Sequence, residues 1–310
     1  MKNLWQKNNE QETVIVINFE QFNEKAALLA ETLAIPVKVK TAYTEGLHYR
    51  LYKSEKVAKD LFIVYHGGGV NMDAGYNILA RQLTTEDNLA VCLVDIRGHG
   101  DSIGKKGTVS QPAVVWCDVD RIITELKTHF PATRLHLLGH SSGAGMLINY
   151  FTRHKPAYKM DSLILLAPEL GPFATGVHRS NSLVRFADVR QWPFIINALS
   201  GGALFGHYPA VQLNFPENVK TLRPDFLQQY SVNMANALTP RQPARQVAAL
   251  PLPTLLLAAE EDELFDPAAM SKFASEHGNK LLNFRMLRQS THLECLFRIQ
   301  EALRQHLETL

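Results

Sequence analysis

Cysteine is scarce in this chain. Cys92, Cys117 and Cys295 stand alone in 310 residues, with no C-x-x-C pair and no metal-ligand spacing. A disulfide scaffold is thereby excluded. Two of the three lie in segments that read as buried, so thiols in a reducing compartment are expected. Net charge is also small: 32 Lys and Arg against 30 Asp and Glu leave +2. That is too little to argue for a nucleic-acid or anionic-membrane partner. No stretch approaches the ~18 consecutive apolar residues that a membrane span needs. The start, Met1-Lys2-Asn3-Leu4-Trp5-Gln6, has no apolar signal core. The expectation is a cytoplasmic protein without stable membrane insertion. The glycines never form G-x-G-x-x-G, and no His/Cys/Asp/Glu cluster has metal-ligand spacing, so no cofactor is expected. Internal repeats and low-complexity tracts are missing as well.

What remains is ordinary globular composition, 46% hydrophobic and 20% charged. The length suits one large α/β domain with an insertion, or two domains. Residues 1–36 form an N-terminal extension. Within it Val14-Ile15-Val16-Ile17 reads as a short strand. Phe22, Ala26, Leu29 and Leu33 recur at helical spacing. That helix packs on the body or reaches a partner, and the first is favoured. From Val37 the pattern is plainer. Residues 37–40 and 48–53 alternate around the turn Thr44-Glu45-Gly46, as a hairpin does. Leu61–Tyr65 and Leu89–Val94 are continuously apolar, as strands covered on both faces are, and Arg134-Leu135-His136-Leu137-Leu138 and Leu163-Ile164-Leu165-Leu166-Ala167-Pro168 read as further buried strands. Helical patterns separate them, at Tyr76–Leu83 with Asp73 as a candidate cap, and at Val115–Leu126. Alternating strand and helix implies a mainly parallel central sheet flanked by helices. The alternation stops over 171–247, where no strand is evident, and resumes at Thr254–Ala259. We therefore expect a core of 37–170 and 248–310, with a helical lid (cap) of 171–247 inserted after the sixth strand. It would lie over the strand ends, where α/β folds keep their sites.

The most telling stretch is Gly139-His140-Ser141-Ser142-Gly143. A buried strand precedes it and a helical pattern follows. That is the context in which G-x-S-x-G makes a nucleophile elbow. Small residues at 139, 143 and 145 let strand and helix approach closely. Ser141 would then stand clear of the sheet edge, with the Ser142 N–H at a helix N-terminus, where an oxyanion is stabilised.

With His66-Gly67-Gly68 after one strand, Asp95-Ile96-Arg97-Gly98-His99-Gly100-Asp101-Ser102 after another, the elbow, Asp262 and His292, the chain resembles the α/β-hydrolase superfamily. It is most similar to the branch of monoglyceride lipases, lysophospholipases and serine aminopeptidases, over roughly residues 37 to 305 by element order. The resemblance implies a catalytic triad of Ser141, Asp262 and His292, without a metal or other cofactor. A serine hydroxyl is a weak nucleophile and needs a base in reach, and the acid fixes the tautomer of that base. The family's strand and loop put Asp262 at the acid position, with Ala259 standing where glycine is usual. Asp266 and Glu261 compete for the role. Gly68 N–H, by the same resemblance, joins Ser142 N–H in the oxyanion hole. The run His66-Gly67-Gly68-Gly69 leaves Gly69 open as the donor. His66 and His99 take positioning roles, and His140 and Asp95 structural ones.

The implied activity is cleavage of carboxylic esters of small acyl substrates through an acyl-enzyme. Acyl transfer, thioester cleavage and amide or peptide cleavage on the same triad are the alternatives. A ligand-binding protein on a hydrolase fold is the reading without catalysis. The aromatic content of 171–247, with Trp192 and Phe194 as candidate substrate contacts, suggests an acyl tunnel in part and adhesion of the lid in part. Ser200-Gly201-Gly202 is a hinge or a helix end. His178, Arg179, Arg185 and Arg190 add positive charge there, more simply a solvated surface than a head-group site.

Overall fold

The computed structural model describes residues 17–33, 38–85, 88–179 and 185–310. The N-terminal extension contributes α1 (Phe19–Thr32), capped by Asn18, whose side chain accepts the Gln21 N–H at 3.0 Å. It packs on the body. Phe22 is buried and stacks on Phe297 at 5.1 Å, and Lys25 pairs with Glu294 at 2.6 Å. Of the strand expected at 14–17, residues 14–16 lie outside the described residues, as does Val37.

The core alternates as its apolar runs dictate: β1 (Lys38–Thr44), β2 (Leu47–Lys53), β3 (Asp60–Tyr65), α2 (Tyr76–Leu83), β4 (Leu89–Val94), α3 (Pro112–His129), β5 (Arg134–His140), α4 (Ser142–Arg153) and β6 (Ser162–Leu166). Every residue of β3, β4 and β6 is buried. Truncating one such core leucine to alanine costs about 2–5 kcal/mol in proteins generally. Proline at its first turn starts α3, and Val115, Val119, Ile122, Ile123 and Leu126 form its buried stripe. Asp73 does not cap α2. That position falls to Gly75 in the left-handed region, without a side-chain bond, while Asp73 pairs with Arg50 at 2.5 Å.

The insertion holds β7 (Ala187–Val189), α5 (Gln191–Leu199), β8 (Pro209–Leu213), α6 (Glu217–Leu222), β9 (Gln229–Ser231), α7 (Val232–Leu238) and α8 (Pro243–Ala248). The expectation of a purely helical segment is corrected here, because β7, β8 and β9 pair into a small antiparallel sheet. Strands three to five residues long, one opening on a proline, leave too few residues for an alternating pattern to register. The insertion is bolted to the core at its C-terminal end. Asn149 on α4 donates to the carbonyls of Ala237 at 3.1 Å and Thr239 at 3.0 Å, and Trp116 on α3 donates to Ala237 at 3.0 Å. The chain closes with β10 (Thr254–Ala259), α9 (Pro267–His277), β11 (Leu282–Leu287), a 3₁₀ turn at Glu294–Phe297 and α10 (Gln300–Leu307).

The main sheet has the order β1-β2-β4-β3-β5-β6-β10-β11, antiparallel at β1-β2 and β2-β4 and parallel elsewhere. Register brings the strand ends level: Tyr65 lies opposite Val94 on one side and Gly139 on the other, and Ala259 lies opposite Leu287. The loops leaving those ends carry the residues picked out above. Cys92, Cys117 and Cys295 are free thiols. Among the described residues no helix is long and apolar enough to cross a membrane.

Candidate active site

Ser141 sits between β5 and α4 with φ 52°, in a region that non-glycine residues rarely enter. The strain is held by hydrogen bonds on both sides. Its N–H donates to Leu166 at 2.9 Å, and its carbonyl accepts from Ala144, Gly145 and Glu169. Glycine is required beneath it. A β-carbon on Gly139 would stand 2.5 Å from the backbone of Gly143, and one on Gly143 2.5 Å from the Tyr65 carbonyl. Strand and helix could not otherwise meet so closely, and it is this approach that lifts the serine.

His292 lies in the loop after β11, 2% exposed. Its Nδ1–H donates to Asp262 Oδ2 at 2.9 Å, which leaves Nε2 as the unprotonated nitrogen. Asp262 is 3% exposed, and its other oxygen accepts the N–H groups of Leu264 and Phe265 at 2.8 and 2.9 Å. Burial works to raise the Asp262 pKa, but His292 and these donors outweigh it and the pKa is lowered. Burial works to lower the His292 pKa. The charge and hydrogen bond of Asp262, with Glu263 and Glu169 behind them, prevail, and it is raised above 6.5.

The competing acids are placed elsewhere. Asp266 caps α9, accepting the Ala269 N–H at 2.8 Å. Glu261 is exposed. The ring of His140, next to Ser141 in the chain, lies 4.9 Å from that of His292, so the loops of β5 and β11 converge.

The loop after β3 is fixed residue by residue. Gly67 N–H donates to Tyr76 Oη at 2.7 Å, and Gly69 N–H donates to Tyr230 Oη at 2.5 Å. Between them, Gly68 N–H has no acceptor among the described residues, and neither has Ser142 N–H. A β-carbon on Gly68 would stand 2.8 Å from Ser142 Oγ, so the two residues are in contact. His66 spans two loops, donating from Nδ1 to the Gly67 carbonyl at 2.9 Å and accepting the Ile96 N–H at Nε2, 3.1 Å. The Asp95 carboxylate is consumed by the Met72 and Asp101 N–H groups and by His48 Nδ1. It ties strand ends together and offers nothing to a substrate.

Four groups in this region have no local motif to announce them. Tyr76 Oη bonds His140 Nδ1 at 2.7 Å, and His140 Nε2–H donates to the His292 carbonyl at 3.0 Å. Glu263 accepts the His292 N–H at 2.8 Å. Glu169 accepts from His178 Nε2 at 3.1 Å and from the Gly171 N–H at 2.6 Å. Tyr230 comes from β9 of the insertion. Their links to the site reach across the chain, Tyr76 to His140, Glu263 to His292, Glu169 through its N–H to the Ser141 carbonyl, and Tyr230 to Gly69, although Tyr76 and Glu263 lie next to segments already singled out. Trp192 is 45% exposed on α5, its ring 5.0 Å from those of Phe205 and Tyr208, and Phe194 is half-buried. Among the described residues no group of His, Cys, Asp and Glu could hold a metal ion.

Solved structures share this arrangement of strands and helices. A soluble variant of monoglyceride lipase from Saccharomyces cerevisiae matches with a TM-score of 0.65 over 89% of this chain and 97% of that one, at 15% identity. The monoacylglycerol lipase of Paleococcus ferrophilus matches with a TM-score of 0.61 over 84% and 99%, at 18% identity. The fold is that of the α/β hydrolases. A family model described as serine aminopeptidase, S33, matches residues 56–295, and the chain belongs to that family. Among curated proteins, monoglyceride lipase of Mus musculus is 32% identical over 122 residues, 39% of each chain. Protein phosphatase methylesterase 1 of Candida albicans is 28% identical over 115 residues, 37% of this chain and 31% of that protein. The matched stretches thus span 31% and 39% of these two relatives.

Proposed function

We propose that the chain is a serine hydrolase that cleaves carboxylic esters through an acyl-enzyme. The observation that carries this is the strained Ser141 at the mouth of a helix N-terminus, with a buried 2.9 Å His292–Asp262 pair built from the loops after β11 and β10. Ser141 Oγ attacks the acyl carbonyl while His292 Nε2 takes its proton. The N–H groups of Gly68 and Ser142 hold the oxyanion, Gly68 rather than Gly69 because Gly69 N–H is engaged by Tyr230. His292 then protonates the leaving alcohol and activates the water that releases the acid. Asp262 keeps the tautomer and stabilises the imidazolium. In the structure Ser141 Oγ makes no hydrogen bond among the described residues; such bonds are commonly long until substrate binds. The names of the curated relatives, a monoglyceride lipase and a methylesterase, support an ester as substrate. The family's description as serine aminopeptidase supports a second reading, aminoacyl amides on the same triad.

A fluorophosphonate probe tests the proposal directly. Stoichiometric labelling at Ser141 is expected, and a folded protein that takes up no label would refute it. Comparing ester with aminoacyl-amide turnover separates the two readings.

The state of His292 sets the pH dependence. The base must be neutral, and its pKa is raised above 6.5 chiefly because the Asp262 carboxylate outweighs burial. Protonation below that pKa removes the base, so kcat/KM should rise with pH along a limb centred above 6.5. A profile flat from about pH 5 to 8, the range in which histidine normally titrates, would contradict the assignment.

The segment 171–247 is proposed to act as a lid that holds the acyl chain by apolar contact. Each added methylene should then favour binding by up to about 0.8 kcal/mol until the space is full. Specificity constants for p-nitrophenyl esters should rise from acetate to medium chains and then break. Charged replacements at Trp192 or Phe194 should flatten that rise if their side chains meet the acyl chain. Equal losses on acetate and medium-chain esters would assign both residues to adhesion within the insertion, as the packing of Trp192 on Phe205 and Tyr208 suggests.

A further inference from the structure

Gly69 is held by the insertion at both of its backbone polar groups. Its N–H donates to Tyr230 Oη at 2.5 Å, and its carbonyl accepts the Leu227 N–H at 2.7 Å. The contact extends to packing: Gly69 has φ 76°, and a β-carbon there would stand 2.7 Å from Leu213 and 2.8 Å from Phe215. The segment from β8 to β9 therefore lies directly on the loop that carries Gly68. Tyr230 is 4% exposed, and its ring edge would stand 3.9 Å from a β-carbon on Gly68.

The direction of the hydrogen bonds follows from the donors available. Tyr230 Oη accepts from Gly69, so its own proton points to His99 Nε2 at 2.6 Å. His99 is wholly buried, and its Nδ1–H donates to the Arg97 carbonyl at 3.2 Å. Nε2 must then be unprotonated. Burial, reinforced by nearby His66, lowers the His99 pKa to about 3, so it stays neutral at working pH. The chain Gly69 N–H, Tyr230 Oη–H, His99 Nε2 is complete, with each proton accounted for. It mirrors the hold of Tyr76 on Gly67 N–H, and between the two phenols a single amide, that of Gly68, is left to face a substrate.

We propose that Tyr230 is a positioning residue of the oxyanion hole: its phenol, fixed by His99, anchors the Gly68–Gly69 peptide on one side of Gly68 as Tyr76 anchors the His66–Gly67 peptide on the other, so that the Gly67–Gly68 peptide between them keeps Gly68 N–H aimed before substrate arrives. The inference rests on the serine-hydrolase reading given above. It also makes this part of the insertion a fixed strut. Without the phenol, Gly69 N–H and His99 Nε2 both lose their partners, and the glycines are free to change the backbone angles that aim Gly68 N–H. The ring, and with it the packing, survives in Tyr230→Phe.

The test compares wild type, Tyr230→Phe and His99→Leu on p-nitrophenyl butyrate, with butylboronic acid as a tetrahedral analogue. Loss of a whole oxyanion donor typically costs about 10²–10³ in kcat, so misaiming one should cost about 10–100-fold. That loss is expected in kcat, with KM within about threefold, and affinity for the boronic acid should fall in step with kcat/KM. His99→Leu removes the acceptor from the far side and should reproduce the pattern. The double variant should lose no more than either single one, as residues acting through one link do. If Tyr230→Phe does not fold, His99→Leu reads the same link alone. Unchanged kcat and boronic-acid affinity in a folded variant would overturn the proposal, as would a lowered melting temperature with kcat retained. In either case fluorophosphonate labelling of wild-type Ser141 would leave the hydrolase reading standing. A wild type that neither labels nor turns over ester would remove both.

Discussion

Ser141→Ala is expected to leave the fold intact and to lower ester turnover by several orders of magnitude. What remains should be the modest rate that binding and oxyanion contacts supply alone. The fold should survive because the strain at φ 52° belongs to the backbone and is met by a hydrogen bond to the Leu166 carbonyl and by others from the N–H groups of Ala144, Gly145 and Glu169, none of which involves the hydroxyl. Alanine bears that conformation no worse than serine. The measurement is kcat/KM on p-nitrophenyl butyrate beside a thermal melt. Near-normal turnover from a protein with an unchanged melt would show that the nucleophile is elsewhere.

Asp262→Asn should cost up to ~10⁴ in kcat, whereas Asp266→Asn should cost little. The first replacement keeps the size of the side chain. It can offer His292 an amide N–H in place of a carboxylate oxygen, and the imidazole then turns to the tautomer with its proton on Nε2. That nitrogen can no longer take the serine proton. The second replacement acts at the N-cap of α9, where asparagine serves as well as aspartate. The pair of measurements is informative because the two residues flank the same short loop. A larger loss at Asp266 would mean that the hydrogen bond to His292 at 2.9 Å is not the one that matters for turnover.

The parts of the fold legible in the chain are those written locally. β3, β4 and β6 are nearly unbroken apolar runs because both faces of a parallel sheet are covered, and with β5 their positions are plain from the order of apolar residues alone. The elbow was equally plain, since Gly139 and Gly143 are needed where strand and helix backbones meet at 2.5 Å from any added β-carbon. His292 and Asp262 could be placed only with the help of a family resemblance. Nothing in their own neighbourhoods distinguishes Asp262 from Asp266. The small sheet of the insertion was not anticipated, because strands of three residues carry almost no periodic signal.

The amino-acid order thus settled where the sheet runs and where Ser141 stands, for these depend on patterns a few residues long. The proposal of Gly68 over Gly69 as the oxyanion donor is of another kind. It turns on a phenol 161 positions further along the chain that takes the Gly69 N–H, and on a histidine 131 positions from that phenol that takes its proton. A hydrogen bond constrains direction and distance in space and leaves no periodicity in the sequence, so only the folded chain carries an observation on which to propose it.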